Sequence, residues 1–64
     1  MKTQYLSPKQ AAIYLNCSVD LLQKHRSNGV GIPYIKLGES NSSLIRYDID
    51  DLNKYLQSKK IKVM

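Results

Sequence analysis

Two helix-start signals separated by a very short turn constrain this sequence more than any other feature. The first is Ser7-Pro8-Lys9-Gln10, in which the serine can cap a helix, the proline suits its first position, and the glutamine can bond back to the serine amide. This pattern predicts a helix from about Pro8 to Leu15. Leu6 is placed to pack near Ala11 and so to fix the start of that helix.

The second signal, Ser18, follows so closely that only a tight turn at residues 16–18 fits between the two helices. Asparagine often replaces glycine where a helix ends in the left-handed conformation, so Asn16 predicts the end of the first helix. The second helix is expected to cover about Val19 to Ser27 and to stop at Asn28-Gly29. Its predicted inward residues are Leu21, Leu22 and His25.

A β-hairpin is predicted after a link rich in glycine and proline. Tyr34–Leu37 and Leu44–Tyr47 have the short apolar pattern of strands, and the polar residues 38–43 between them suit a turn. With a period of two, each strand has its apolar residues on one face and its cation, Lys36 or Arg46, on the other. We therefore expect the hairpin to present both cations outward. The apolar residues that share a face are Ile35 with Leu37, and Ile45 with Tyr47.

A third helix closes the predicted fold. Asp48 can cap it, and Asp50 and Asp51 lie in its first turn, where negative charge suits the helix dipole. The tail at about residues 58–64 is basic and has no stop signal, so we expect it to be mobile. An apolar stripe at helical spacing continues the helix through about Gln57, and its members are Ile49, Leu52, Tyr55 and Leu56.

Length and charge limit the classes of protein that fit. The 64 residues make one domain. A chain of this length buries only about 60% of the surface that its unfolded form exposes, so its core must be small. Ten Lys and Arg against five Asp and Glu give a net charge of +5, which favours a polyanionic partner. No apolar run approaches the roughly 18 residues of a membrane span, and the N-terminus lacks a signal-peptide core. We expect a cytoplasmic, nucleoid-associated protein with no membrane partner.

The residue types that carry catalysis and metal binding are sparse and isolated. His25 has no second histidine and no suitably spaced cysteine cluster, so we expect it to be a partly buried packing residue. Cys17 lies at a turn position where a small apolar residue usually packs inward, which favours a buried inert thiol over a redox switch. Capping and the helix dipole explain the acids at 48, 50 and 51. We expect no enzymatic activity, no cofactor and no metal.

Two short capped helices, a hairpin and a closing helix make an α+β, mostly α fold class in the order of a winged helix-turn-helix. In that arrangement the second helix enters the major groove of DNA. Gln23 can pair with adenine, Lys24 can reach guanine or phosphate, and Asp20 can accept from cytosine. The residues expected to read DNA are Ser18, Val19, Asp20, Gln23, Lys24 and Ser27.

The same segments resemble the excisionase-like and AlpA-like branch of the MerR-type winged helix-turn-helix superfamily, small proteins of phages, plasmids and integrated elements. The resemblance covers about Tyr5 to Leu56. The second helix has fewer arginines than is usual in this family, which shifts phosphate anchoring toward the wing. The marks of the resemblance, in chain order, are LSPKQAA at 6–12, YLNCS at 14–18, PYIKLG at 33–38, RY at 46–47, DL at 51–52 and YL at 55–56.

The resemblance implies that two wing cations, Lys36 and Arg46, contact the DNA backbone or the minor groove. Lys9 and Arg26 are further candidates for phosphate contacts. Arg26 has an alternative, because its stem can cover the core or its charge can pair with the acidic third helix. Taken singly, each cation also fits an ordinary solvated surface charge. At the hairpin tip, hydrogen bonds to phosphates or to the minor groove are open to Asn41, Ser42 and Ser43.

The family's excisionase role implies that several copies coat and bend double-stranded DNA so that an integrase excises a mobile element. A single module of this size buries only about 600 to 1,000 Å² of protein surface on DNA. This favours head-to-tail self-association on adjacent sites, or recruitment by an integrase or another larger protein. The alternative is a small transcription regulator of a phage or plasmid. An alternative of another class is a protein-interaction subunit of a replication or conjugation complex.

Overall fold

Each of the helices begins at a side-chain cap, and the sheet is built around the last strand of the chain. The computed structural model describes residues 4–38 and 44–63. Those residues form three α-helices and a three-stranded antiparallel sheet. In chain order the elements are β1 (Tyr5–Leu6), α1 (Pro8–Leu15), α2 (Val19–Asn28), β2 (Ile35–Leu37), β3 (Leu44–Asp48) and α3 (Ile49–Ser58).

The first helix has the predicted bounds and the predicted cap. The Ser7 hydroxyl accepts from the Gln10 amide at 3.2 Å, and the Gln10 side chain accepts from the Ser7 amide at 3.0 Å. At the other end Asn16 takes the left-handed conformation, with φ 56° and ψ 47°. The capping box and the asparagine turn are thus confirmed; the first defines where α1 begins, and the second directs the chain out of α1.

The second helix also follows its sequence signals. The Ser18 hydroxyl accepts from the Leu21 amide at 3.1 Å, and Gly29 ends the helix with φ 68°. The helix runs to Asn28, one residue beyond the predicted end. Its turn with α1 contains the three predicted residues, so the two helices are held by caps on both sides of a very short link.

The sheet has one strand more than the predicted hairpin. β2 and β3 pair antiparallel as expected, but β1 pairs with the opposite edge of β3, with Tyr5 beside Asp48 and Leu6 beside Tyr47. A further bond joins the Ile49 amide to the carbonyl of Gln4 at 3.0 Å. A two-residue strand is too short to show alternation, so hydrophobic periodicity does not predict it.

The register corrects the prediction that the hairpin presents both cations outward. Lys36 pairs with Ile45, whereas Arg46 pairs with Ile35, so the two cations point to opposite faces of the sheet. The inner sheet face, toward the core, carries Leu6, Lys36, Ile45 and Tyr47. The outer sheet face carries Tyr5, Ile35, Leu37, Leu44, Arg46 and Asp48.

The core lies between the inner sheet face and the helices. Two alanines of α1 are buried there, and their small side chains let the other elements approach closely. Leu21 and Leu56, predicted to be inward, are exposed instead, because Leu22 and Leu52 fill the inward positions of their helices. Ile32 is also buried, although the glycine- and proline-rich link that contains it is predicted only to separate α2 from the hairpin. The core residues are Leu6, Ala11, Ala12, Leu22, Ile32, Tyr47 and Leu52.

The last strand passes directly into the third helix. Asp48 ends β3 and caps α3 at the same time, its carboxylate accepting from the Asp50 amide at 2.8 Å. The helix ends at Ser58, and residues 60–63 have no helix or strand and are exposed. Over residues 4–38 and 44–63, every helix is too short or too polar to cross a membrane.

Candidate nucleic-acid interface

The side of α2 that faces away from the core carries the residues predicted to read DNA. Ser18, Val19, Asp20, Gln23, Lys24 and Ser27 are exposed. Positions three and four apart in a helix share one face, which is why Asp20, Gln23, Lys24 and Ser27 lie together. A shallow groove on this face is lined by Asp20, Gln23, Lys24, Ser27 and Asn28.

The chemistry of this groove suits a polar, hydrogen-bonding partner. The amide of Gln23 both donates and accepts, the ammonium of Lys24 donates, and the carboxylate of Asp20 accepts. Asn28 adds a second amide to the groove. It is not among the residues predicted to read DNA, because asparagine before glycine predicts only the end of a helix. Its i, i+4 spacing from Lys24 is the signal that places it on the same face.

The residues on the opposite side of α2 anchor the helix to the rest of the fold. Leu22 is buried in the core, and Arg26 is half-buried, its Nη1 donating to the hydroxyl of Tyr47 at 2.7 Å. Arg26 therefore extends over the core toward the sheet, where it donates to the tyrosine hydroxyl. This bond ties α2 to β3.

His25 is a packing residue, as predicted. Its ring meets that of Tyr55 edge-on, with centroids 6.2 Å apart, and it lies against Gly31. The buried Nδ1 atom has no hydrogen-bond partner within the described residues. Lys59 in turn lies over the Tyr55 ring at 5.5 Å. The imidazole thus fills space between α2, the following link and α3.

The two cations of the hairpin strands, Lys36 and Arg46, lie on opposite faces of the sheet. Lys36 is exposed on β2 and shares its face with Ile45, which packs against the core. Arg46 is half-buried on the outer sheet face, where its Nη1 donates to the carbonyl of Ile45 at 2.7 Å. Lys9 is exposed in the first turn of α1. The tip residues Asn41, Ser42 and Ser43 lie outside the described residues.

Cys17 and the acids occupy structural positions. Cys17 is half-buried and packs against the core, in agreement with its predicted inward position. Asp48 caps α3, and Asp50 and Asp51 lie in its first turn. Within residues 4–38 and 44–63, His, Cys, Asp and Glu side chains form no group of three that could hold a metal ion.

Comparisons with protein-family models and with curated proteins gave no match for this chain. The feature that stands out is the polar outward face of α2, held in place by caps at both ends and by the Arg26–Tyr47 bond.

Proposed function

We propose that the chain is a winged helix-turn-helix protein that binds double-stranded DNA in a sequence-specific manner. The observation that carries this proposal is the outward face of α2, whose exposed polar side chains have no role in the core. The order of two capped helices, a hairpin and a closing helix supports it, as does the net charge of +5.

In the proposed complex α2 enters the major groove, which is about 12 Å wide and admits one helix. Gln23 pairs with adenine through its amide, Lys24 reaches guanine or phosphate, and Asp20 accepts from cytosine. Ser18 and Val19, at the N-terminus of the helix, approach the base edges or the adjacent backbone. The hydroxyl of Ser18 keeps its proton for donation, because its oxygen is the atom that caps the helix.

The hairpin anchors the complex through one face. Lys36 lies on the face of the sheet that the helices also contact, so we assign it to the phosphate backbone, together with Lys9. Arg46 points away from that face, which separates it from the DNA that α2 would read.

The proposed biological role is that of an excisionase-type directionality or architectural factor of a mobile element, acting in the cytoplasm on nucleoid DNA. A footprint of about 600 to 1,000 Å² favours several copies on adjacent sites, or a larger partner such as an integrase. A small transcription regulator would use the same face of α2. Binding to a ladder of evenly spaced sites with DNA bending supports the first role, and one or two sites over a promoter support the second.

The first test compares two variants on matched and scrambled DNA. Gln23→Ala should reduce discrimination at one base position by about 1 to 3 kcal/mol. Lys36→Ala should weaken binding to all sequences alike and lower the salt dependence by about one released counterion. Affinities are measured by fluorescence anisotropy at several salt concentrations.

The matched control is Lys54→Ala, which removes the same charge from an exposed position of α3. It should change affinity less than Lys36→Ala does. If Gln23→Ala and Lys36→Ala behave identically on both DNAs, the division between a reading helix and an anchoring strand is wrong. Binding that is equal on matched and scrambled DNA would contradict sequence-specific recognition.

A further inference from the structure

The outer sheet face is apolar although no helix of the described residues is packed on it. Antiparallel strands with one face in water normally alternate apolar residues toward the core with polar residues toward solvent. Here Tyr47, Ile45 and Leu6 already supply the core side. The large residues on the other side have exposed fractions of 54% for Tyr5, 38% for Ile35, 48% for Leu37 and 56% for Leu44.

Three of these apolar residues line a groove that also contains the guanidinium of Arg46. The groove is lined by Tyr5, Ile35, Leu37 and Arg46. The bond from Arg46 Nη1 to the carbonyl of Ile45 orients the guanidinium, which has further N–H groups besides the one used in this bond. Asp48, the acid on the same face, is already engaged as the cap of α3. A guanidinium held among apolar side chains is well suited to bind a carboxylate bidentately.

The positive charge of Arg46 favours some binding partners of the groove over others. A second copy of this chain placed face to face would bring two Arg46 side chains together and add a second net charge of +5. DNA would supply anions but no aliphatic groups to cover Ile35 and Leu37. A segment that combines aliphatic side chains with a carboxylate satisfies both parts of the groove.

We propose that the outer sheet face is a docking site for an acidic, aliphatic segment of another protein, with a carboxylate of that segment bound by Arg46. Its aliphatic side chains lie between Tyr5 on one side and Ile35 and Leu37 on the other. The site is on the opposite face of the sheet from Lys36, so the partner and DNA can be bound at the same time. The proposal does not depend on DNA binding by α2.

The test is selection of random peptides displayed on phage against the immobilised full chain, with Arg46→Glu as the counter-selection. Enriched peptides should combine Leu, Ile or Val with Asp or Glu. Synthetic versions should bind Arg46→Glu at least about tenfold more weakly than the unmodified chain. The control Lys54→Glu makes the same charge change on α3 and should alter the affinity less than about twofold.

Amide chemical shifts of the isotope-labelled chain locate the bound peptide. The proposal expects shifts in β1, β2 and β3, and the same affinity for Gln23→Ala as for the unmodified chain. Arg46→Gln, which removes the charge but keeps a donor for the Ile45 carbonyl, covers the case in which Arg46→Glu does not fold. Weaker peptide binding by Arg46→Gln then supports the proposal.

Three results would overturn it. One is the absence of enriched peptides, or peptides that bind both Arg46 variants as well as the unmodified chain. Another is peptide shifts confined to α2, which would show general attraction of acids to a basic protein. The third is self-association of the free chain that Leu44→Ser abolishes in sedimentation experiments, which would make a second copy the occupant. DNA binding is measured separately, so its failure is distinguishable from each of these.

Discussion

The pair formed by α1 and α2 differs from the β2–β3 hairpin in how its geometry is fixed. Each helix of the pair begins at a serine cap and ends at a residue in the left-handed conformation, and between them they bury Ala11, Ala12 and Leu22. Among the described residues of the hairpin Tyr47 alone is buried, and all of β2 is exposed. The helix pair is specified by local chemistry, whereas the hairpin depends on one aromatic anchor and on β1.

This difference suits the proposed division of labour. A reading helix must present its side chains at fixed positions, and capped ends with close packing provide that rigidity. A strand that anchors through one cation and docks a partner on its other face needs less rigid support. The comparison predicts that damage to the anchor of the hairpin will be costly, and that damage to single caps will be moderate.

The largest effect is expected at the anchor of the hairpin. Tyr47→Ala should destabilise the fold by about 3 to 5 kcal/mol, because Tyr47 is only 1% exposed and removal of its ring leaves a cavity. A domain of this length has roughly 3 to 10 kcal/mol of stability in total, so the substitution should remove between about a third and all of it. Urea denaturation followed by circular dichroism measures the change.

The matched substitution is Tyr34→Ala, at a ring that packs 6.4 Å from Tyr47 but is 43% exposed. It should cost less than half as much as Tyr47→Ala. Equal losses for the two variants would mean that the hairpin is held by the aromatic pair and not by the buried tyrosine.

The link after α2 offers a second comparison between two glycines with positive φ. Gly31 has φ +90°, and a Cβ there would lie 2.6 Å from Nδ1 of His25 and 2.9 Å from its Cβ. Gly29 has φ +68° and open space around it. Gly31→Ala should therefore cost about 2 kcal/mol or more, and Gly29→Ala about 1 kcal/mol. Thermal and urea unfolding measure both, and the reverse order would show that His25 does not fix the link.

Removal of a cap should have a moderate effect on the helix pair. Ser18→Ala should destabilise the fold by about 1 kcal/mol, because the Leu21 amide loses its acceptor. Ser27→Ala, on the exposed face of the same helix, serves as the control and should be close to neutral. A loss of several kcal/mol in Ser18→Ala would mean that this cap, and not the packing of Ala11 and Ala12, is the main determinant of the turn.

The smallest effect is expected where the two regions meet. Tyr47→Phe keeps the buried ring and removes only the acceptor for Arg26, which is half-buried and can bond to water instead, so it should cost about 0.5 kcal/mol. Arg26→Lys provides the comparison, because an ammonium lacks the planar geometry of the guanidinium. Urea titrations of both variants and the double variant give the coupling energy. Strict additivity would show that this bond does not join the helix to the strand.

The helices could be predicted from the sequence because their signals are local. Ser7, Ser18 and Asp48 each cap the helix that follows, and Asn16 ends α1 in the left-handed conformation, as predicted. The exposed polar face of α2 follows from the same helical periodicity. These features need no knowledge of distant contacts.

The features that could not be predicted depend on pairing across the chain. β1 is defined by its bonds to a strand some forty positions later, and the faces of Lys36 and Arg46 depend on a register that periodicity alone does not set. The burial of Ile32 likewise depends on where the link packs. The acidic segment proposed for the outer sheet face follows from the register, so it was not accessible from the sequence.

The direct passage from β3 into α3 limits how this protein can vary in length. One residue inserted after Asp48 would rotate the helix by about 100° about its axis, which would turn Leu52 out of the core and bring a polar neighbour in. A deletion would do the same in the opposite sense. Lineages that keep this fold should therefore accumulate substitutions at the junction but no insertions or deletions, and engineered fusions or permutations should avoid it.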